Sequence, residues 1–321
     1  MKSTCKLPLL LAMLGAIAGC AREPHAPLRI GTNVWPGYAP IYLAQGLNYF
    51  DADLVRPVAF PATTETIAAF RGKAIDAAAL TLDEALTLAQ FDAEFAVVLV
   101  ADISHGADAI VGRTGLTSLT ELRGRRIGLE TTAVCAYTLA RALQKAGLRQ
   151  EEVTLINVNV NEQESAFGRG AVDAVVTFEP VRTRLLASGA RLLFDSSQIP
   201  NEILDVVVVR TDYLRAHPDV VAGFVGGWFR ALAYLKEHPD AAAEKMKGYL
   251  KLSAAEVLQS LKGLRLPDRD EVGGLLSGDA PRLLETARTL QRLMLEQRLL
   301  IKKTDVSPLF DRESAKTLYG R

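Results

Sequence analysis

Leu28-Arg29-Ile30-Gly31-Thr32-Asn33-Val34-Trp35-Pro36-Gly37-Tyr38 opens as a short apolar run and closes on a turn that carries two aromatic rings. Its first five residues fit one strand, and Pro36-Gly37 marks a turn feeding a helix. The plan then repeats: apolar runs alternate with helical patterns of roughly ten to fifteen residues, the signature of βαβ units and an α/β fold. Strands are predicted over Leu28 to Thr32, Leu54 to Phe60, Ala74 to Leu80, Phe95 to Ala101, Ala109 to Gly112, Arg126 to Leu129, Val153 to Val158, Ala174 to Thr177, Arg191 to Phe194 and Val206 to Val209.

After Arg210 the pattern predicts helices only. His217-Pro218-Asp219 and His238-Pro239-Asp240 each put Pro and an acid where a helix begins, which suits the free first-turn N–H and the positive helix end. Their histidines read as caps or surface residues. Thr114 to Gly124 and Ser196 to Asn201, rich in small polar residues, read as crossovers between two lobes. One lobe then comprises residues 28–113 plus 203–321, around an inserted lobe of residues 114–202. A ligand is expected in the cleft between them, beyond the carboxyl ends of parallel strands.

The chain starts with Lys2 and Lys6, continues with an apolar stretch from Leu7 to Ile17, and then has small residues before Cys20. That is the layout of a signal peptide, residues 1–19, and it is too short for a spanning helix of about 20 apolar residues. Ile17-Ala18-Gly19-Cys20 resembles a bacterial lipobox, which implies a lipidated Cys20 and a tether over residues 20–27. Export places the mature chain in the periplasm, held at a membrane through lipid alone. Of three cysteines only Cys135 remains for the fold, so no intramolecular disulfide is expected.

The chain has 321 residues, 49% of them hydrophobic, with 37 basic and 37 acidic side chains. That is enough for two lobes, and it gives no basic stripe to neutralise nucleic-acid phosphates. No Gly-x-Ser-x-Gly, His-Glu-x-x-His, phosphate-cradling Gly-Lys-Ser/Thr or Cys-x-x-Cys occurs. No catalytic residue, metal site or cofactor is expected. A Cys135–His105 nucleophile pair is conceivable, but nothing in the sequence brings the two together.

The residues just beyond predicted strands carry the chemistry. Trp35 and Tyr38 can stack on a ligand while Asn33 hydrogen-bonds it, or the rings can simply pack the turn. Thr81 and Asp83 open a helix, where capping competes with a ligand role. Glu130, Thr131 and Thr132 stand at another strand-to-helix junction, where amides and hydroxyls can hold an anion. Glu179 is either a dipole partner or a receptor for a ligand cation. Asp108 leads into a strand and competes with ordinary turn chemistry.

The segments Leu28 to Tyr38, Gly72 to Glu84, Leu122 to Gly128 and Gly170 to Pro180 resemble the periplasmic solute-binding proteins of the nitrate, sulfonate and taurine import group and their thiamine-pyrimidine-binding relatives. The resemblance implies a type II periplasmic-binding fold with a helical C-terminal region, lobes that close on a solute, a monomer, and delivery to an ABC permease. It carries Asn33, Trp35, Tyr38, Thr81, Asp83, Thr131, Thr132 and Glu179 into the cleft, with Asp108 as a further candidate. That set offers carboxylates and no basic residue after a strand, which favours an amine-bearing, zwitterionic or heteroaromatic solute over a plain anion. The alternative is a lipid-anchored ligand sensor that uses the same trap to regulate a membrane signalling protein.

Overall fold

The computed structural model describes residues 26–320 apart from 92–93, 133 and 279–280. The signal segment, Cys20 and most of the tether lie outside the described residues. Eleven strands are found among the described residues: β1 Leu28–Thr32, β2 Val55–Ala59, β3 Ala77–Thr81, β4 Phe95–Ser104, β5 Asp108–Gly112, β6 Arg126–Leu129, β7 Thr154–Asn157, β8 Ala174–Phe178, β9 Arg191–Asp195, β10 Leu204–Arg210 and β11 Leu264–Arg265.

They form two sheets. The six-stranded one runs β11-β4-β10-β3-β1-β2 and the five-stranded one β7-β6-β8-β5-β9. Each has a parallel block, β2-β1-β3 or β7-β6-β8, extended by an antiparallel partner, β10 or β5. Strands β3, β4, β5, β8 and β10 are buried along their whole length. Their sequences accordingly read as near-continuous apolar runs, as strands covered on both faces do.

β5 belongs to the five-stranded sheet. The chain therefore first crosses between sheets at residues 105–107, ahead of the Thr114 to Gly124 segment to which the sequence assigned the crossover. It returns at residues 196–203, within reach of the expected Ser196 to Asn201. The two crossings are laced together. Ser104 Oγ and Ser196 Oγ are hydrogen-bonded at 2.8 Å, and the Gly106 amide donates to Ser196 Oγ at 2.7 Å.

Beyond β10 the chain is helical with one exception. Helices Pro218–Glu237 and Pro239–Leu250 begin with their prolines in the first turn, and His217 and His238 lie against Tyr213 and Tyr234, centroids 4.7 and 4.8 Å apart. The exception is β11, which corrects the helices-only reading. Gly263 lets the chain press onto Ala107, where a Cβ would meet the Ala107 amide at 3.0 Å. The next two residues then pair with the end of β4. A two-residue strand has no periodicity to detect.

Among the described residues no helix is long and apolar enough to cross a membrane.

Candidate functional site

The β1–helix turn sits over the ends of β4 and β10. Trp35 Nε1 donates to Asp102 Oδ2 at 3.0 Å, and the Tyr38 hydroxyl donates to Asp205 Oδ1. Gly37 permits this approach, since a Cβ there would fall 1.7 Å from Asp102 Oδ2. From the other side Tyr249 stacks on Tyr42, centroids 3.8 Å apart, and donates its hydroxyl proton to the Asn33 carbonyl. Helix Pro239–Leu250 thereby fixes the turn. Both aromatic rings of the turn are buried.

The five-stranded sheet faces this turn. Phe178, the last residue of β8, meets the Trp35 ring edge-on, centroids 5.6 Å apart and planes at 87°. Glu84 Oε2 accepts from the Thr81 amide at 2.9 Å, as a capping-box glutamate does, while its Oε1 accepts from the Val134 amide across the interface at 3.0 Å. Between the sheets lies a cavity of about 240 Å³, of which about 10 Å³ admits the centre of a water-sized sphere. That is room for about one water. Its walls are Asn33, Trp35, Tyr38, Thr63, Thr81, Glu84, Asp108, Val134, Phe178 and Asp205.

Of the residues expected from the sequence, Asn33, Trp35, Tyr38, Thr81 and Asp108 line this cavity. Asp83 and Glu130 are buried nearby. Glu179 is buried too, but its carboxylate accepts from Arg182 Nη1 at 3.0 Å and Thr183 Oγ1 at 2.8 Å. Thr131 and Thr132 are exposed. Thr131 hydrogen-bonds Asn157 Oδ1 and borders a separate groove beside helix Val134–Ala146.

Glu84, Asp102 and Asp205 are site residues that the sequence reading missed. Each carried a signal. Thr81-Leu82-Asp83-Glu84 has capping-box spacing, and Asp102 and Asp205 are charges embedded in the apolar runs of β4 and β10. In a strand buried on both faces such a charge requires a partner or a purpose.

Seven carboxyl groups are thus buried together: Asp83, Glu84, Asp102 and Asp205 on the six-stranded sheet side, and Asp108, Glu130 and Glu179 on the other. Arg182 is the basic partner of Glu179; the other six have no salt bridge among the described residues. Asp83 Oδ1, Asp102 Oδ1, Asp108 Oδ2, Glu130 Oε2, Asp205 Oδ2 and Thr81 Oγ1 are buried without a hydrogen-bond partner.

Burial alone pushes Asp83 up to about 6; burial, with like charge adding to it, pushes Asp102, Asp108 and Glu130 to about 7 and Glu84 to about 8. Asp205 rises well above the carboxylate range for the same reasons. Burial also raises the Cys135 thiol well above its usual value, assisted by the charges of Glu130 and Asp108. A buried thiol held protonated is a poor nucleophile, and His105 is exposed on the crossover. Among the described residues no group of three or more His, Cys, Asp or Glu is placed to hold a metal ion.

The model of the NMT1/THI5-like family matches residues 35–242, more than half of the chain. The chain belongs to this NMT1/THI5-like family. It is 30% identical to the taurine-binding periplasmic protein of Escherichia coli K12 over 131 residues, 40% of this chain and 41% of that one. The aligned part therefore spans well under half of that relative's length. The fold is shared more widely. The alkanesulfonate-binding protein SsuA from Xanthomonas axonopodis pv. citri, solved with MOPS, superposes with a TM-score of 0.76 at 22% identity, covering 91% of this chain and all of that one. A desulfurization enzyme superposes at 0.66 with 17% identity, over 92% of this chain and 99% of that one. This NMT1/THI5-like chain has the two-lobed type II periplasmic-binding fold, and the fold by itself does not separate a binder from an enzyme.

Proposed function

We propose that this chain is the solute-binding component of an ABC-type importer and that it captures a small amine-bearing solute, cationic or zwitterionic, between its two lobes in the periplasm. The observation that carries the reading is the set of buried carboxyl oxygens without partners on both sides of the cavity, at Asp108 and Asp205 above all. An ammonium or protonated heteroaromatic amine supplies the missing donors and the missing charge. A plain sulfonate or nitrate supplies neither and would face carboxylates at close range.

Taurine, bound by the Escherichia coli relative, carries an ammonium beside its sulfonate and so satisfies half of this requirement. Trp35, Tyr38 and Phe178 supply aromatic walls, whose ring faces can hold a flat ligand or a cation. We assign residues 28–104 and 204–320 to one lobe and 108–195 to the other. The Ser104–Ser196 bond lies where the two connections run side by side, which favours a hinge there. A solute larger than water requires the walls to part and re-close, and closure on a ligand that touches both lobes is the shape a permease can read. Cys20 would tether the binder to the membrane by lipid.

A thermal-shift screen of the chain beginning after Cys20 tests this, using amines, aminopyrimidines, taurine, plain sulfonates and nitrate. A ligand specific for the folded state stabilises it by about 2.7 kcal/mol at a hundred times its Kd. Stabilisation by an amine-bearing compound, lost in Asp108→Asn, supports the reading. Stabilisation by nitrate or a plain sulfonate alone removes the cation while leaving the importer role.

A further inference from the structure

Asp102 and Asp205 are register partners on the adjacent antiparallel strands β4 and β10, so their side chains leave the same face of the sheet side by side. Each spends one oxygen on an aromatic donor of the overlying turn: Asp102 Oδ2 on the Trp35 indole and Asp205 Oδ1 on the Tyr38 hydroxyl. The other two oxygens, Asp102 Oδ1 and Asp205 Oδ2, are buried and have no donor while both carboxyls are ionised. Directly opposed residues on neighbouring antiparallel strands have Cβ atoms about 4.5–5.5 Å apart, within reach of a carboxyl–carboxyl hydrogen bond. One proton between them satisfies both oxygens at once.

We propose that Asp102 and Asp205 share a single proton in the ligand-free protein at neutral pH, forming a Trp35–Asp102–Asp205–Tyr38 chain that sets both aromatic walls of the cleft and meets an arriving cation with one negative charge. The groups that act on the pair through charge are Asp108 on β5 and Glu84 on helix Leu82–Ala89, while the neutral Tyr38 hydroxyl acts as a hydrogen-bond donor to Asp205. Both charged groups are acids, and neither supplies a cation that would let both carboxylates ionise together. Two like charges at this separation in a low dielectric force one to keep its proton, and the upward shift of both groups is in the same direction.

The pair also shapes specificity, a consequence that rests on the cleft being the solute site. A bound ammonium replaces the proton as donor and releases it to solvent, so capture of a cation tightens as pH rises through neutrality. An anion has no such exchange and must sit beside the remaining charge.

The test is made without any solute, so that it stands or fails separately from the ligand screen. Protein carrying ¹³C at aspartate carboxyl carbons is titrated by NMR, with Asp102→Asn and Asp205→Asn used for assignment. The Trp35 indole proton, one of only two tryptophan indoles in the chain, serves as a reporter that needs no variant. The expected result is that the two ionisation steps of the pair fall on opposite sides of about pH 7 and that the indole resonance follows them. In Asp205→Asn, whose amide can donate where the proton sat, the Asp102 step should fall by at least about one unit, a tenfold change in proton affinity. Both carboxyls ionised by about pH 5, or an indole resonance indifferent to pH from 5 to 9, overturns the proposal. The wild-type titration alone decides this if neither variant folds.

Discussion

Glu84 joins the two sheets through Val134: its Oε1 accepts from the Val134 amide at 3.0 Å while its Oε2 accepts from the Thr81 amide at 2.9 Å. A helix of one lobe is thereby bonded to the start of a helix in the other. Glu84→Ala leaves two buried N–H groups unpaired, at about 1–3 kcal/mol each. We expect a lower denaturation midpoint together with a larger radius of gyration in solution scattering. A fall in stability with an unchanged radius would mean that the contact does not hold the lobes together.

The buried acids make stability depend on pH in an unusual direction. Asp102 and Asp108, ordinarily at 3.8, rise to about 7; Glu84 and Glu130, ordinarily at 4.5, rise to about 8 and about 7. A raised carboxyl binds its proton more tightly in the folded state. Its contribution is therefore complete below the ordinary value and is lost as pH rises through the folded one. Chemical denaturation should show stability falling between about pH 5 and pH 8, by on the order of a few kcal/mol. Constant or rising stability over that interval would contradict the acid cluster.

Gly37→Ala drives a methyl to within 1.7 Å of Asp102 Oδ2 and 2.4 Å of the Trp35 indole nitrogen. The turn must lift away from the sheet and the Trp35–Asp102 bond must break. A cost of about 1–3 kcal/mol is expected, with a change in Trp35 fluorescence and loss of solute binding. Unaltered fluorescence would show that the turn accommodates the methyl without moving.

Ser196→Ala removes the acceptor of the Gly106 amide and the partner of Ser104 Oγ, both at the crossovers. About 1–3 kcal/mol of destabilisation is expected. Ser197→Ala next to it removes an exposed hydroxyl contact to Asp195 while keeping the backbone amide bond to the same carboxylate, and should change stability by less than about 0.5 kcal/mol. Equal effects of the two would remove the special place of the serine pair.

The fold was legible where strands are buried runs bounded by turns. β1 and β6 fall at the predicted residues. β3 starts three residues later than predicted because Asp76 is a turn residue, its carboxylate accepting from the Arg29 guanidinium at 2.7 Å and its amide donating to the Arg29 carbonyl. Hydrophobicity does not register that ion pair. The cleft was half legible for a related reason. Asn33, Trp35 and Tyr38 follow the end of β1 and Thr81 closes β3, where α/β folds display polar groups. Asp102 and Asp205 lie inside strands, and only the pairing of β4 with β10 brings them together. Glu84 escaped notice because it is the third helical position, which reaches back to the cap.

The central claim, that the cleft selects a solute by its amine, is tested most directly by calorimetric titration with matched compounds. Taurine against 2-hydroxyethanesulfonate, and benzylamine against benzyl alcohol, differ only in exchanging an ammonium for a hydroxyl. The account predicts that the amine member of at least one pair binds and its hydroxyl twin does not, and that Asp108→Asn weakens the amine by about tenfold or more. Binding of 2-hydroxyethanesulfonate as tight as that of taurine, with no amine favoured, would contradict it.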